Sequence, residues 1–239
     1  MLTRTRSRFL VLTAAAAATV TLAACSGSGA EEDRSPEEVL TEAKTTLDET
    51  SGVHVVLSTE KLPPSVDGIL KAEGVGTHAP AFQGDLTVAA GGITADAAVV
   101  AVDGTVYAKL PFTTNFTEID PADYGAPDPA ALMESEGGLS SLLTAAEDVK
   151  QGKAVRDQDQ VLTTYTGTVP GDVVAGIIPS ASAGSDFDAR FTVSGDGVLD
   201  TAELTGPFYP KVDDVTYTIE FDQYDLSREI TAPEETSAQ

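Results

Sequence analysis

Few residues in this chain have the type or spacing for covalent or acid–base chemistry. Its 239 residues include one cysteine, Cys25, and two histidines, His54 and His78. A serine or cysteine nucleophile needs a neighbouring base to take its proton. No Gly-x-Ser-x-Gly elbow occurs, and no nucleophile has a histidine at a recognisable spacing. His54 lies in a β-branched run and His78 precedes Ala79-Pro80, settings that suit packed or surface imidazoles. Zinc needs clustered His and Cys ligands, which the sequence lacks. Three close pairs, Asp157/Asp159, Asp186/Asp188 and Asp213/Asp214, offer the hard oxygens that calcium prefers. None follows the spacing of an EF-hand loop and all sit beside turn residues, so they read as solvated turns. Paired carboxylates for glycoside hydrolysis have 38 acids to draw on, but spacing in sequence does not give spacing in space. The expectation is no catalytic residue, no metal and no cofactor.

Cys25 has a different setting. Arg4, Arg6 and Arg8 make a positive start, and the 16 residues Phe9 to Ala24 are apolar or small apart from Thr13, Thr19 and Thr21. That run falls short of the roughly 20 residues a membrane-spanning helix needs, but it suits the apolar region of a signal peptide. Leu22-Ala23-Ala24-Cys25 resembles the lipobox of bacterial lipoprotein precursors. The resemblance implies that the Cys25 thiol receives a diacylglycerol and that cleavage makes Cys25 the first residue. Each buried acyl CH₂ contributes about 0.8 kcal/mol, so several chains such as palmitate would hold the protein on the outer face of the plasma membrane. With its one thiol acylated the mature chain forms no disulfide, and its stability must come from a core.

Composition sets further bounds. The formal charge of −24 becomes −27 once residues 1–24, with three arginines and no acid, are removed. An acidic chain without a basic cluster fits neither nucleic acid nor electrostatic docking on anionic lipid; the charge favours a soluble monomer. Residues 1–24 read as signal peptide and 25–35 as lipidated cysteine and tether. A single domain over 36–230 and a disordered tail over 231–239 follow. The nine residues Ser26 to Arg34 span about 15–18 Å as a Gly/Ser-type coil.

The elements can be read from period and punctuation. Ser35-Pro36-Glu37-Glu38 has an N-cap serine, a proline at N1 and a glutamate at N3, and Val39, Leu40, Ala43 and Leu47 follow at helical spacing. This predicts a helix of about 15 residues, with Gly52 as its C′ residue. From Val53 the period becomes two. Strands are expected over 53–59, 72–77, 84–90, 93–102 and 105–108, with Gly91-Gly92 and Asp103-Gly104 as hairpin turns. A helical insert follows, with Asp120-Pro121 and Asp128-Pro129 as helix starts. Leu139, Leu142, Leu143, Ala146 and Val149 form a second stripe. Strands resume over 161–169, 187–194, 198–205 and 215–224. Val173, Val174, Ile177 and Ile178 fit either a short helix or a strand. Helices placed between two runs of antiparallel strands predict an α+β fold, one curved sheet with its concave face covered by helices.

Small aliphatic side chains dominate the expected interior, since the chain has no tryptophan and eight phenylalanines. Leu86 and Val88 alternate onto one face of their strand, as do Val100 and Val102 in the next, although Ala97 and Val99 make that strand apolar on both faces. An ordinary packed core and an unfilled apolar cavity both fit this composition. Several segments carry a resemblance to the LppX/LprAFG family of actinobacterial, including mycobacterial, lipoproteins. They are the lipobox, the strand from Ser51 to Leu57 with Lys61-Leu62-Pro63, and Gly84 to Val88. The hairpin Val99 to Ala108, Asp128-Pro129-Ala130, Gly138 to Leu143 and Thr164 to Val169 complete the set. The chain departs from the family at Pro63-Pro64 and over 179–186. The resemblance implies a LolA/LolB-like half-barrel with an apolar pocket between sheet and helices. It also implies a cargo of triacylated lipid or glycolipid, moved from plasma membrane to outer envelope with help from a membrane transporter, and no reaction. Leu86, Val88, Val100 and Val102 from the sheet and Leu139, Leu142 and Leu143 from a covering helix are the expected pocket lining. The alternatives are a structural or adhesion lipoprotein with a packed core, and an envelope hydrolase.

Overall fold

The computed structural model describes residues 34–233. The expected signal peptide, Cys25, most of the expected tether and residues 234–239 lie outside the described residues. Helix α1 spans Pro36–Glu49 and starts as its sequence dictates. The Ser35 hydroxyl accepts from the Glu38 amide at 3.2 Å, and the Glu38 carboxylate accepts from the Ser35 amide at 2.8 Å. Val39, Leu40, Ala43 and Leu47 are its buried face. The helix end differs from expectation. Thr50 is extended (φ −65°, ψ 140°) and the chain runs straight into the first strand. Gly52 is therefore no helix cap; a Cβ there would come 2.6 Å from the Leu226 carbonyl oxygen, so glycine admits the close approach of the segment that follows β11.

Eleven strands follow: β1 Gly52–Ser58, β2 Gly68–Thr77, β3 Ala81–Ala90, β4 Ile93–Val102, β5 Thr105–Lys109, β6 Thr117–Ile119, β7 Glu147–Asp157, β8 Gln160–Val169, β9 Phe187–Ser194, β10 Leu199–Gly206 and β11 Val215–Asp222. Two short helices interrupt them, α2 Ser141–Ala145 and α3 Gly171–Ile177. The strands form one sheet in the order β6-β5-β4-β3-β2-β1-β11-β10-β9-β8-β7. Each neighbouring pair is antiparallel. The sheet is an open, curved half-barrel whose edges are β6 and β7, with the helices on its concave face. Two meanders thus meet where β1 pairs with β11, His54 opposite Asp222.

The hairpin turns follow the expected chemistry. Gly91 and Gly92 (φ 57° and 79°) and Asp103 and Gly104 (φ 54° and 72°) all take the left-handed conformation that two-residue turns require. The insert is less helical than its prolines suggest. Asp120 and Asp128 each accept from the amide two residues on at 2.9 Å, but only 3-10 turns follow, over 121–124 and 131–133. Helix α2 is five residues long, and Val149 lies in β7 instead of on a helical stripe. Residues 173–177 are helical, which decides the ambiguous segment.

One steric feature shapes the β2–β3 ribbon. Gly74 and Gly84 face each other across it. A Cβ on Gly74 would lie 2.5 Å from the Gln83 carbonyl oxygen and 2.7 Å from the Phe82 ring, and one on Gly84 would overlap the Glu73 carbonyl oxygen. Gly84→Ala is expected to destabilise the domain by about 1–3 kcal/mol, because backbone must move to admit the methyl. Urea denaturation measures this; a loss below about 0.5 kcal/mol, the range of an indifferent surface change, would show that the ribbon yields freely.

Candidate functional site

The strand register divides the inner, helix-bearing face into two chemically distinct halves. In the β8–β11 half it carries Tyr165, Phe187, Phe191, Tyr217 and Phe221, all buried with Val39, Leu40, Ala43 and Leu47 of α1 in the main core. Phe208, 1 % exposed, fills the space between Phe187 and Tyr217, with ring centroids at 4.9 and 5.0 Å in edge-to-face contact. This half is occupied by its own side chains.

In the β2–β5 half the inner face carries Ala72, Gly74, Gly76, Phe82, Gly84, Leu86, Val88, Ala95, Ala97, Val99, Ala101, Val106 and Ala108. None is charged or polar, in a chain of net charge −24. Most are alanine or glycine, so the face is both apolar and shallow. Phe82 and Met133 cover it at the β2–β3 turn end, Met133 lying against Gly76. Towards the Gly91-Gly92 hairpin the cover thins: Leu57 and Leu70 pack against the main core and Leu86 against the Phe82 cluster, yet these three and Val88 are only half-buried. The result is an apolar trough, roofed at one end and open at the other.

Two tyrosines mark its boundary with the filled half. The Tyr217 hydroxyl donates to the Ile69 carbonyl oxygen at 3.0 Å, so the 2.7 Å contact between the two phenols has Tyr209 as donor. Burial pushes both phenols above their ordinary values. Both hydroxyls stay neutral at physiological pH and can edge an apolar surface without placing charge on it.

The structure separates the residues expected to share a pocket. Leu86 and Val88 lie in the trough, whereas Leu139, Leu142 and Leu143 are buried in the main core at 8, 2 and 2 % exposure. Val100 and Val102 require correction. They point to the outer face and pack with Ala81 against Tyr107, Phe116 and Ile230. The residues of β4 that share a face with Leu86 are Ala95, Ala97, Val99 and Ala101. Sequence reading missed these, together with Ala72 and Leu57; the alternation of Leu86 and Val88, once paired in register, would have found them.

A cleft of about 590 Å³ opens at the opposite end of the sheet, between the β2–β3 turn, the β4–β5 hairpin and residues 230–232. Asp103, Asp128 and Glu134 are on its wall, which makes it a poor host for hydrocarbon. His54 lies on the outer face, its Nδ1 2.6 Å from Asp222 and its Nε2 3.7 Å from Glu73. The hydrogen bond from Lys71 to Glu73, at 2.6 Å, raises the lysine and lowers the carboxyl from their ordinary values. These groups form an exposed charged ladder. Among the described residues no group of three or more His, Cys, Asp or Glu could hold a metal ion, and no helix is long and apolar enough to cross a membrane.

Residues 35–231 match the model of the LppX_LprAFG lipoprotein family. The chain belongs to this family. Among solved structures, LprF from Mycobacterium bovis is similar, with a TM-score of 0.68 at 14 % identity over 83 % of this chain and 96 % of that one. The lipoprotein LppX from Mycobacterium tuberculosis gives a TM-score of 0.58 at 15 % identity, over 82 % of this chain and all of that one. At these identities the likeness establishes the LppX/LprAFG fold for this chain. No curated protein sequence matches it significantly.

Proposed function

We propose that this lipoprotein binds the acyl chains of a membrane lipid or glycolipid along the apolar trough and carries them between the plasma membrane and the outer envelope. The supporting observation is the uncharged, alanine- and glycine-rich inner face of β2–β5, half-buried at Leu57, Leu70, Leu86 and Val88. Small side chains leave room above the sheet, and hydrocarbon laid there avoids exposing chain to water at about 25 cal/mol per Å². Bilayer and trough are both apolar, so transfer is nearly balanced and reversible. No covalent step is needed. Two or three acyl chains require more cover than the trough now has, and the insert between β6 and β7 supplies it by shifting over them. That insert is held to α1 by Lys44, whose ammonium donates to the Ser135 carbonyl at 2.7 Å and to the Ser140 hydroxyl at 3.1 Å. Leu139, Leu142 and Leu143 ride on this insert and would close on the cargo from above. Cys25 carries the acyl anchor that keeps the domain at the outer face of the plasma membrane, and a membrane transporter delivers or receives the cargo.

The test is lipid extraction from protein purified without detergent from its own host, read by mass spectrometry. Stoichiometric acylated lipid supports carriage. Protein free of lipid that also takes up none from vesicles refutes it and leaves a scaffold with a packed core.

A further inference from the structure

The loops around the open end of the trough carry three large, exposed apolar side chains. Ile93 follows the Gly91-Gly92 turn at 68 % exposure, and Leu110 and Phe112 follow β5 at 51 and 108 %. All three leave the same end of the sheet, because β3 and β4 turn at Gly91-Gly92 and β5 runs antiparallel to β4 towards that turn. The two stretches are also uncharged. Residues 89–95 (AAGGITA) and 110–117 (LPFTTNFT) hold no Asp, Glu, Lys or Arg, in a chain with 38 acids. Phe112 takes φ 68°, a left-handed conformation unfavourable for a bulky residue, while its ring makes no core contact that would offset the strain. A soluble surface gains nothing from this arrangement.

We propose that this tip is a bilayer-docking surface: Ile93, Leu110 and Phe112 insert among lipid acyl chains and join the trough to the membrane interior. Three side chains fall well short of the roughly 800 Å² per partner that a stable dimer buries. Burying each of them in hydrocarbon is favourable, and the three together give reversible docking. A carboxylate does sit at this tip, since Asp67 accepts from the Gly91 amide at 2.8 Å, so insertion is confined to the apolar side chains. Docking stands on the tip alone; its use in cargo transfer rests on the carriage proposed above.

The chain has no tryptophan, so one substitution makes a clean reporter. Phe112→Trp and, as a control on the far edge strand, Val155→Trp (native Val155 is 62 % exposed) are made in the full chain as its host processes it. Each protein is mixed with phosphatidylcholine vesicles whose acyl chains carry bromine. Docking predicts that the Phe112→Trp protein loses most of its indole emission with a blue shift, while emission from the Val155→Trp protein is unchanged. Equal quenching of both variants, or of neither, overturns the proposal. A blue shift of the Phe112→Trp protein without vesicles that grows with protein concentration also overturns it, assigning the tip to a second copy of the chain. Lipid extraction from the same preparations reads carriage separately. Quenching of the Phe112→Trp protein with no recovered lipid retains docking and removes carriage, and the reverse removes docking alone.

Discussion

Phe208→Ala is expected to cost about 3–5 kcal/mol, the range for deleting a fully buried aromatic ring. The ring is 1 % exposed and makes edge-to-face contacts with both Phe187 and Tyr217. Truncation removes its transfer free energy, two aromatic pairs worth about 0.5–1.5 kcal/mol each, and the support for Phe187 over Gly206. Against a typical stability of about 5–15 kcal/mol the variant keeps only part of its margin. Denaturant titration should show a large fall in midpoint with an unchanged slope. A loss under about 1 kcal/mol would mean that the neighbouring side chains collapse into the space, contrary to a tightly filled half.

Leu86→Trp is expected to have the opposite profile, abolishing most lipid recovery while changing stability by less than about 1.5 kcal/mol. Leu86 projects onto the trough between Ala72 and Ala97, its partners on the adjacent strands. An indole fits above those small residues without displacing core atoms, but it takes the volume assigned to hydrocarbon. Thr87→Trp is the matched control, one residue along and on the outer face, and should retain lipid. Equal recovery from both variants removes Leu86 from the binding surface. Unfolding by Leu86→Trp would show instead that the trough is already packed.

Leu86 lies on the inner face of the sheet and Phe208 packs over that face from the loop before β11, yet composition separates their halves. Aromatic side chains concentrate on β8, β9 and β11 and in the loop before β11, while alanine and glycine concentrate on β2 to β5. The sequence displays this asymmetry openly. It acquires meaning only when the strands are placed in one sheet, β1 beside β11, so that the two compositions become neighbouring parts of a single surface.

Local chemistry was legible wherever a residue acts on its own neighbours. The Ser35 capping box, the four buried positions of α1 and both two-residue hairpins depend on contacts within a few residues, and they stand as their sequences specify. The antiparallel α+β architecture follows from strand runs too close together for parallel crossovers. Strand β7 escaped notice because nearly every residue in it is exposed, so it has no apolar alternation to betray it; an edge strand is held by backbone hydrogen bonds to one partner. The face of β4 was beyond reach for another reason. Ala97, Val99 and Ala101 on one side and Val100 and Val102 on the other are equally apolar, and a period of two cannot rank them. The choice is made by Ile230, which reaches the outer face from the end of the domain and covers Val100 and Val102 there. Sequence determined most of the strands and the N-terminal cap of α1; only the tertiary structure decided which of two greasy faces meets the trough, because burial depends on what the rest of the chain brings to cover it.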